Sequence, residues 1–522
     1  METVKTPKRR PRAMRRRIPP PARGDLIAGI SVALVLVPQS LAYAELAGLP
    51  PVHGLYAAAA APIAAALIGS SPYLQTGPVA LTSLLTLGAL SPLAVTGSAT
   101  FISYAAVLAI LVGAARVMLG LLRWGALAYF MSIPVITGFT VAAAVLIIGS
   151  QIPDLLAVPA DSGNPARAAA DALSQPGNWS IAPLLIGFAV IVIVAAGRKI
   201  SAAVPWVLIA TAAALVASRT GIIDVPEIGH IPTGMPPVSL DLPWQAVPQL
   251  IVPALLIALV GFAEPASIAR KYAAADRQAW SPNREFLGQG LANLAAGAAG
   301  GYPTGGSFSR SALNRHAGAK TRWSGAVTGV TVLAMLPIVD VLSQLPVAVL
   351  AGLVIVAAIS LVDLKPFGEY WRNSRPQFLV AVPTFVATLI LAPRVERGLL
   401  IGIALAFAVH LWREMRIDVT TRLDDRVLHV HPEGVLYFAS APMLETHLTG
   451  LLAEHPDLTS VIIDVHRLGR LDLTGLMALR NFAQQAGDFG VEVEVHNVPE
   501  HARERAHRVL EPVCRVVTTE PD

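Results

Sequence analysis

Charge is what this chain has least of. Only 14% of its 522 residues are Asp, Glu, Lys or Arg, against about a quarter in a typical soluble domain. From Leu46 to Ala115 there is none. A water-soluble fold could not cover so long a stretch, so the segment is expected to lie in lipid or in protein within lipid. Cysteine is almost missing too. Cys514 stands alone, which excludes an internal disulfide and leaves the redox compartment open.

What is present is apolar: 54% of the residues are hydrophobic and the mean hydropathy is +0.59. Apolar runs fall at roughly 26–45, 54–70, 78–92, 102–122, 129–149, 181–196 and 203–218. A second series falls at roughly 247–270, 286–300, 307–318, 322–340, 346–362, 376–392 and 398–414. Several are shorter than the ~20 residues of a full crossing. The reading is seven segments plus seven, with helical spans that begin directly after the N-terminus rather than a cleaved signal peptide.

Lys5, Lys8, Arg9, Arg10, Arg12, Arg15, Arg16, Arg17 and Arg23 precede the first run. They predict a cytoplasmic N-terminus, residues 1–23, by the positive-inside rule. Arg198-Lys199, Arg270-Lys271 with Arg277, Lys320 with Arg322, and Arg372 with Arg375 fall on the same side. Loops 151–180 and 219–246, expected outside, carry more acidic than basic residues. An even number of crossings returns the C-terminus to the cytoplasm. No aromatic residues interleave the N-terminal arginines, which argues against nucleic acid as a partner.

After about Asp418 charge returns and the apolar runs shorten. Val427–Val430, Val435–Phe438, Val461–Val465 and Val491–Val495 read as strands, and 442–454, 474–487 and 499–510 as helices. This pattern predicts a small α/β domain over 418–522. It has no Gly-rich phosphate loop, metal-ligand cluster or nucleophile elbow. The expectation is a protein that is not an enzyme and takes neither cofactor nor metal.

Polar residues in the apolar runs are few enough to name. Pro38 frees backbone carbonyls in the first run, and Gln39 lies within a turn of it. A buried amide there must hydrogen-bond a neighbouring helix or a ligand. Glu45 reads as interfacial. Gly77-Pro78, in QTGPVA, reads as a helix start, and at mid-membrane its free N–H groups would suit a small anion. GGYPTGGSFSRSALN, residues 300–314, places Thr304, Ser307, Ser309, Ser311 and Arg310 between two apolar runs. It is either a second broken helix at membrane depth or a surface loop with a snorkelling arginine. Paired breaks in the two halves of a chain point to a transporter's substrate site. Glu264, in ALVGFAEPASIARKY, is an ionisable group in an apolar helix and a functional candidate by default. It suits proton coupling, or pairing with Arg310.

These segments carry a resemblance. DLIAGISVALVLVPQSLAYAELAGLPPVHGLYA resembles the first-helix signature of the sulfate permease (SulP) family of anion transporters, and TGPVALTS and GGSFSRSALN are similar to its third- and tenth-helix motifs. The tail resembles a STAS domain. The resemblance implies a polytopic α-helical membrane protein of fourteen transmembrane segments over 24–415. These form two inverted seven-helix repeats, about 24–220 and 246–415, sorted into core and gate domains, with a cytoplasmic STAS domain. It implies a homodimer and an elevator-like motion of core against gate. Gln39, Tyr43, Gly77, Pro78, Val79, Ala80, Ser307, Phe308, Ser309 and Arg310 match substrate-site positions. Some relatives carry an aromatic residue where this chain has Val79. Glu264 matches a position that is acidic in many relatives; a sodium-coupled bicarbonate branch uses Asp there, and Glu leans toward the proton. In the tail, Thr474 matches the hydroxyl that soluble STAS proteins phosphorylate, although its local reading is a helix cap.

The expected function is secondary active transport of a small anion, such as sulfate, bicarbonate or a dicarboxylate, coupled to protons across the cell's inner (plasma) membrane. The alternative is a sodium-coupled or uncoupled conductor of the same fold. A cytoplasmic partner for the STAS domain is a further possibility, and a nucleobase substrate fits less well, because Arg310 among hydroxyls suits an oxyanion.

Overall fold

The computed structural model describes residues 20–126, 132–159, 164–201, 204–222 and 224–517. The basic cluster from Lys5 to Arg17 lies outside them. The chain divides into two units, Met1–Ile403 and Ala404–Asp522.

In the first unit the apolar runs become helices α1 (Arg23–Leu46), α2 (Pro51–Ile68), α3 (Ala80–Leu90), α4 (Ala99–Leu121), α5 (Ile133–Ser150), the short α6 (Ile152–Leu156) and α7 (Pro165–Leu173), then α8 (Ile181–Ile200) and α9 (Trp206–Arg219). The second series is α10 (Val247–Ala275), α11 (Pro282–Ala298), α12 (Phe308–His316), α13 (Trp323–Met335), α14 (Val347–Ile359), the short α15 (Lys365–Asn373), α16 (Arg375–Ile390) and α17 (Val395–Met415), whose residues from Ala404 onward belong to the second unit. Without α6, α7 and α15, the helices of the two series among the described residues number the expected seven plus seven. Eight helical spans among the described residues are long and apolar enough to cross a bilayer. Their outward faces stay apolar: Leu185 and Phe188 on α8 are each 61% exposed, which suits lipid and not water. This is a multi-pass membrane protein.

Packing sorts the helices. α1 lies against α2, α12 and α13, while α11 joins α4 to α2; α10 completes the group beside α3 and α4. The other group is built on α5 against α16 and α14 against α8. The same four and the same three positions of each series therefore fall together.

In both series the third helix is the short one. α3 and α12 are 11 and 9 residues long, about 16 and 13 Å, roughly half the ~30 Å hydrocarbon core. A two-residue strand precedes each, β1 (Thr76–Gly77) and β2 (Gly305–Gly306), and the two pair antiparallel, Thr76 opposite Gly306 and Gly77 opposite Gly305. The two half-helices thus start from one crossing point. Gly306 is needed there, since a Cβ would come within 3.2 Å of the Pro265 Cα on α10.

The second unit holds β3 (Asp418–Asp424), β4 (Val427–Leu436), α18 (Ala441–Glu454), β5 (Ser460–Asp464), β6 (Leu468–Leu471), α19 (Leu473–Asp488), β7 (Glu492–His496), α20 (Arg503–Leu510) and β8 (Arg515–Val517). The sheet runs β3-β4-β5-β7-β8, with β6 also on β4. Only β3 is antiparallel to its neighbour. Val430, Val461, Ile463, Leu476 and Phe482 sit in its core. Two expectations are corrected here. Val427–Val430 and Val435–Phe438 are not separate strands: β4 runs through Pro432 and ends at Leu436. A register shift at Gly434/Val435 lets it exchange β5 for β6 as partner. Thr474 is not the cap of α19: the Asp472 carboxylate accepts the Gly475 N–H at 2.9 Å, and Thr474 is exposed in the first turn. Asp472→Ala is therefore expected to cost the STAS unit about 1 kcal/mol, while Thr474→Ala stays within about 0.5 kcal/mol. Denaturant unfolding of the purified chain, followed on that unit, separates the two.

Candidate functional site

The crossing point places polar groups where lipid-facing helices could not hold them. α12 begins at Phe308 with Ser307 as its N-cap; the Ser307 hydroxyl accepts the Arg310 N–H at 3.5 Å and lies 3.3 Å from the Ser309 hydroxyl. α3 begins at Ala80 with Val79 as its N-cap. Pro78 thus precedes the cap instead of occupying the first turn. The first N–H groups of each helix have no carbonyl one turn earlier to bond, and both ends carry partial positive charge.

Arg310 fills the gap between them. It is 1% exposed, which removes the surface-loop alternative. One guanidinium nitrogen donates to Gln39 Oε1 at 3.2 Å and another to the Pro78 carbonyl at 2.8 Å. Its Nε is buried without a partner. Gln39 is thus not free: it accepts from Arg310, in a bond between α1 and α12. Tyr43, one turn further along α1, is 5% exposed and within electrostatic range of Arg310, Arg198 and Glu264. Gly77, Pro78, Val79 and Ala80 are all buried at the same point.

Glu264 does not pair with Arg310. Its carboxylate receives the Phe308 N–H at the start of α12, with Arg310 in electrostatic range. Glu264 and Phe308 line a cavity of about 470 Å³ together with Leu81, Ser267 and Arg270. On the other flank of α12, Ser309 and Arg310 line a smaller cavity of about 60 Å³. Glu45 lies elsewhere, lining a third cavity with Asp154, and Thr474 belongs to the second unit.

Several residues that hold the site went unread in the sequence. Arg116 on α4 is fully buried and donates to the carbonyls of Ile257, Ala258 and Thr304, each at 3.1 Å. Gln289 reaches Thr76 Oγ1 at 2.7 Å, and Asn293 holds both the N–H and the carbonyl of Thr304. Ser83 donates to the buried Tyr302 hydroxyl at 3.3 Å. The signal for Gln289 and Asn293 was available: two amides four residues apart on an apolar helix, sharing one face.

A family model described as the sulfate permease family matches residues 23–384, and one described as the STAS domain matches 418–510. The chain is 31% identical over 516 residues to the chloroplastic sulfate transporter 4.1 of Arabidopsis thaliana, covering 91% of this chain and 75% of that one. It is 32% identical over 428 residues to a probable sulfate transporter of Mycobacterium tuberculosis, covering 80% and 72%. Among solved structures, it resembles murine solute carrier 26 family member A9, an anion transporter, in its inward-facing state. The TM-score is 0.85 at 20% identity, over 97% of this chain and 91% of that one. The transmembrane domain of the cyanobacterial bicarbonate transporter BicA matches with TM-score 0.62 at 21% identity, over 73% and 96%. From the family match over most of its length and relatives above 30% identity, the chain belongs to the sulfate permease family and ends in a STAS domain.

Proposed function

We propose that this chain is a secondary active transporter of a small oxyanion, sulfate first among the candidates, that moves its substrate together with protons. The observation that carries the reading is Arg310, buried between two facing helix N-termini and held by neutral partners. Its charge therefore remains available to an anion. Similarity to proteins named as sulfate transporters favours sulfate over bicarbonate, a dicarboxylate or chloride.

The anion binds against Arg310 and the N–H groups of α3 and α12, with Gln39, Tyr43, Ser307 and Ser309 as neutral hydrogen-bonding groups beside it. Glu264 is the proton carrier. Ionised, it competes with the anion for the Phe308 N–H and for the field of Arg310; protonated, it releases both. The group of helices carrying the site, α1–α4 with α10–α13, then slides against the α5–α9 and α14–α17 group in an elevator motion. The protein works as a homodimer in the plasma membrane with both termini in the cytoplasm, and Thr474 is a regulatory phosphorylation site.

The test is uptake by the purified full chain in proteoliposomes. The panel is sulfate, bicarbonate, fumarate and chloride, each with a proton gradient, a sodium gradient or neither. A one-unit inward proton gradient supplies about 1.4 kcal/mol per proton, so sulfate should accumulate about tenfold for each proton carried. If no anion enters under any gradient, the reading fails; if only sodium drives uptake, the coupling assignment fails.

A further inference from the structure

The cavity on the Ser309 flank of α12 has a second guanidinium on its wall. Arg198, in the last turn of α8, lines it opposite Ser309 and Arg310, with Trp206 and Leu313 beside them. No carboxylate is among its lining residues, and among the described residues Arg198 has no ion pair or side-chain hydrogen bond. Two cations on the lining of one cavity, with no carboxylate there, leave it short of negative charge. Arg310, whose buried Nε has no partner, lines the same cavity.

An alternative account is that Arg198 only marks the cytoplasmic end of α8, as Lys199 does. The local structure favours a more specific placement. Lys199 is exposed whereas Arg198 is half-buried. Trp206 Nε1 donates to the Ser201 carbonyl at 2.9 Å, and its ring lies so close to Gly197 that a Cβ there would meet it at 2.2 Å. The turn carrying Arg198 is therefore fixed by its neighbours, and its guanidinium is set toward the half-helix. A cavity of about 60 Å³ is several times the ~10–15 Å³ that one water needs, which leaves room for a compact polyatomic anion.

We propose that Arg198 is a second anion ligand, supplied by the helix group that does not carry Arg310, and that it selects divalent over monovalent oxyanions. The inference rests on the transport reading above and refines its substrate class. A dianion can satisfy both guanidiniums at once, whereas a monoanion leaves one cation uncompensated. Because the two arginines sit on different helix groups, relative sliding of the groups would separate them. Arg198 would then contact the anion only in the conformation that brings the groups together on this flank.

The full chain in proteoliposomes gives the test, with sulfate and chloride as probes. Arg198→Gln should raise the KM for sulfate about tenfold to a hundredfold, the worth of one charge-assisted hydrogen bond. The KM for chloride should change less than about threefold, and Arg198→Lys should recover part of the loss. A sulfate KM within about twofold of wild type overturns the inference, and so does an equal loss for both anions. If Arg198→Gln does not fold, Arg198→Cys in a Cys514→Ser background serves instead. At a concentration that saturates uptake by this variant, sulfate should slow its modification by methanethiosulfonate ethylammonium, and chloride at the same concentration should not. Equal rates with and without sulfate overturn the inference. Failure of the transport reading looks different: wild-type protein then takes up no anion, or Arg310→Ala leaves uptake unchanged.

Discussion

Replacing Arg310 with alanine is expected to weaken sulfate binding by about a hundredfold or more while the protein still inserts and folds. The magnitude follows from what the guanidinium would do for an anion at the crossing point. A hydrogen bond to a charged group is worth about 1.5–3 kcal/mol, and a planar guanidinium can offer an oxyanion two at once. Removing the side chain also strands Gln39 Oε1 and the Pro78 carbonyl, which now accept from it. Arg310 itself lines a cavity, so water can enter the space its side chain leaves and satisfy them at modest cost. That is why the loss should fall on affinity and not on stability. Arg310→Lys should restore charge but not the two-point contact with Gln39 and Pro78, leaving affinity between the two. Equilibrium binding of labelled sulfate to purified protein checks this. Wild-type affinity in well-folded Arg310→Ala would remove Arg310 from the site.

The parts of this site that could be read from sequence are those whose cause is local. Gly77-Pro78 and the Gly-rich run 300–306 break helices wherever they occur, and an arginine between apolar runs announces itself. What could not be read depends on contacts between distant segments. Gln289 matters because Thr76 is opposite it, and Arg116 because α10 and the Thr304 loop present carbonyls to it. No spacing within α4 encodes that. The STAS domain shows the same division. Its apolar strands were legible, but β3, β6 and β8 are short or exposed edge strands whose existence depends on their partners. Asp472 and Thr474 are both good cap residues, and only the fold decides between them. Glu264 lies between the two cases: its oddity is plain in the sequence, but its bond to the Phe308 N–H is not.

That bond leads to the second large effect. Glu264→Gln is expected to abolish proton-driven accumulation while leaving downhill anion flux intact. Ionised Glu264 places a negative charge on the N-terminus of α12, where the proposed site takes its anion, and within range of Arg310. Protonation removes that charge, so anion and proton should bind together and sulfate affinity should rise as pH falls. Glutamine keeps the shape and a hydrogen-bond acceptor but holds the charge at zero. The variant should therefore bind sulfate at high pH as tightly as wild type does at low pH, and its affinity should stop depending on pH. In proteoliposomes, a one-unit inward proton gradient should raise sulfate accumulation about tenfold per coupled proton in wild type and not at all in Glu264→Gln. Exchange of internal for external labelled sulfate should persist in both, which excludes simple inactivation. Proton-driven accumulation at the wild-type level in Glu264→Gln would place coupling elsewhere. If wild type shows no dependence on pH but sodium drives uptake, Glu264 would serve a different cation. If neither gradient acts, the chain is an uncoupled conductor, and Glu264 only tunes the field at the start of α12.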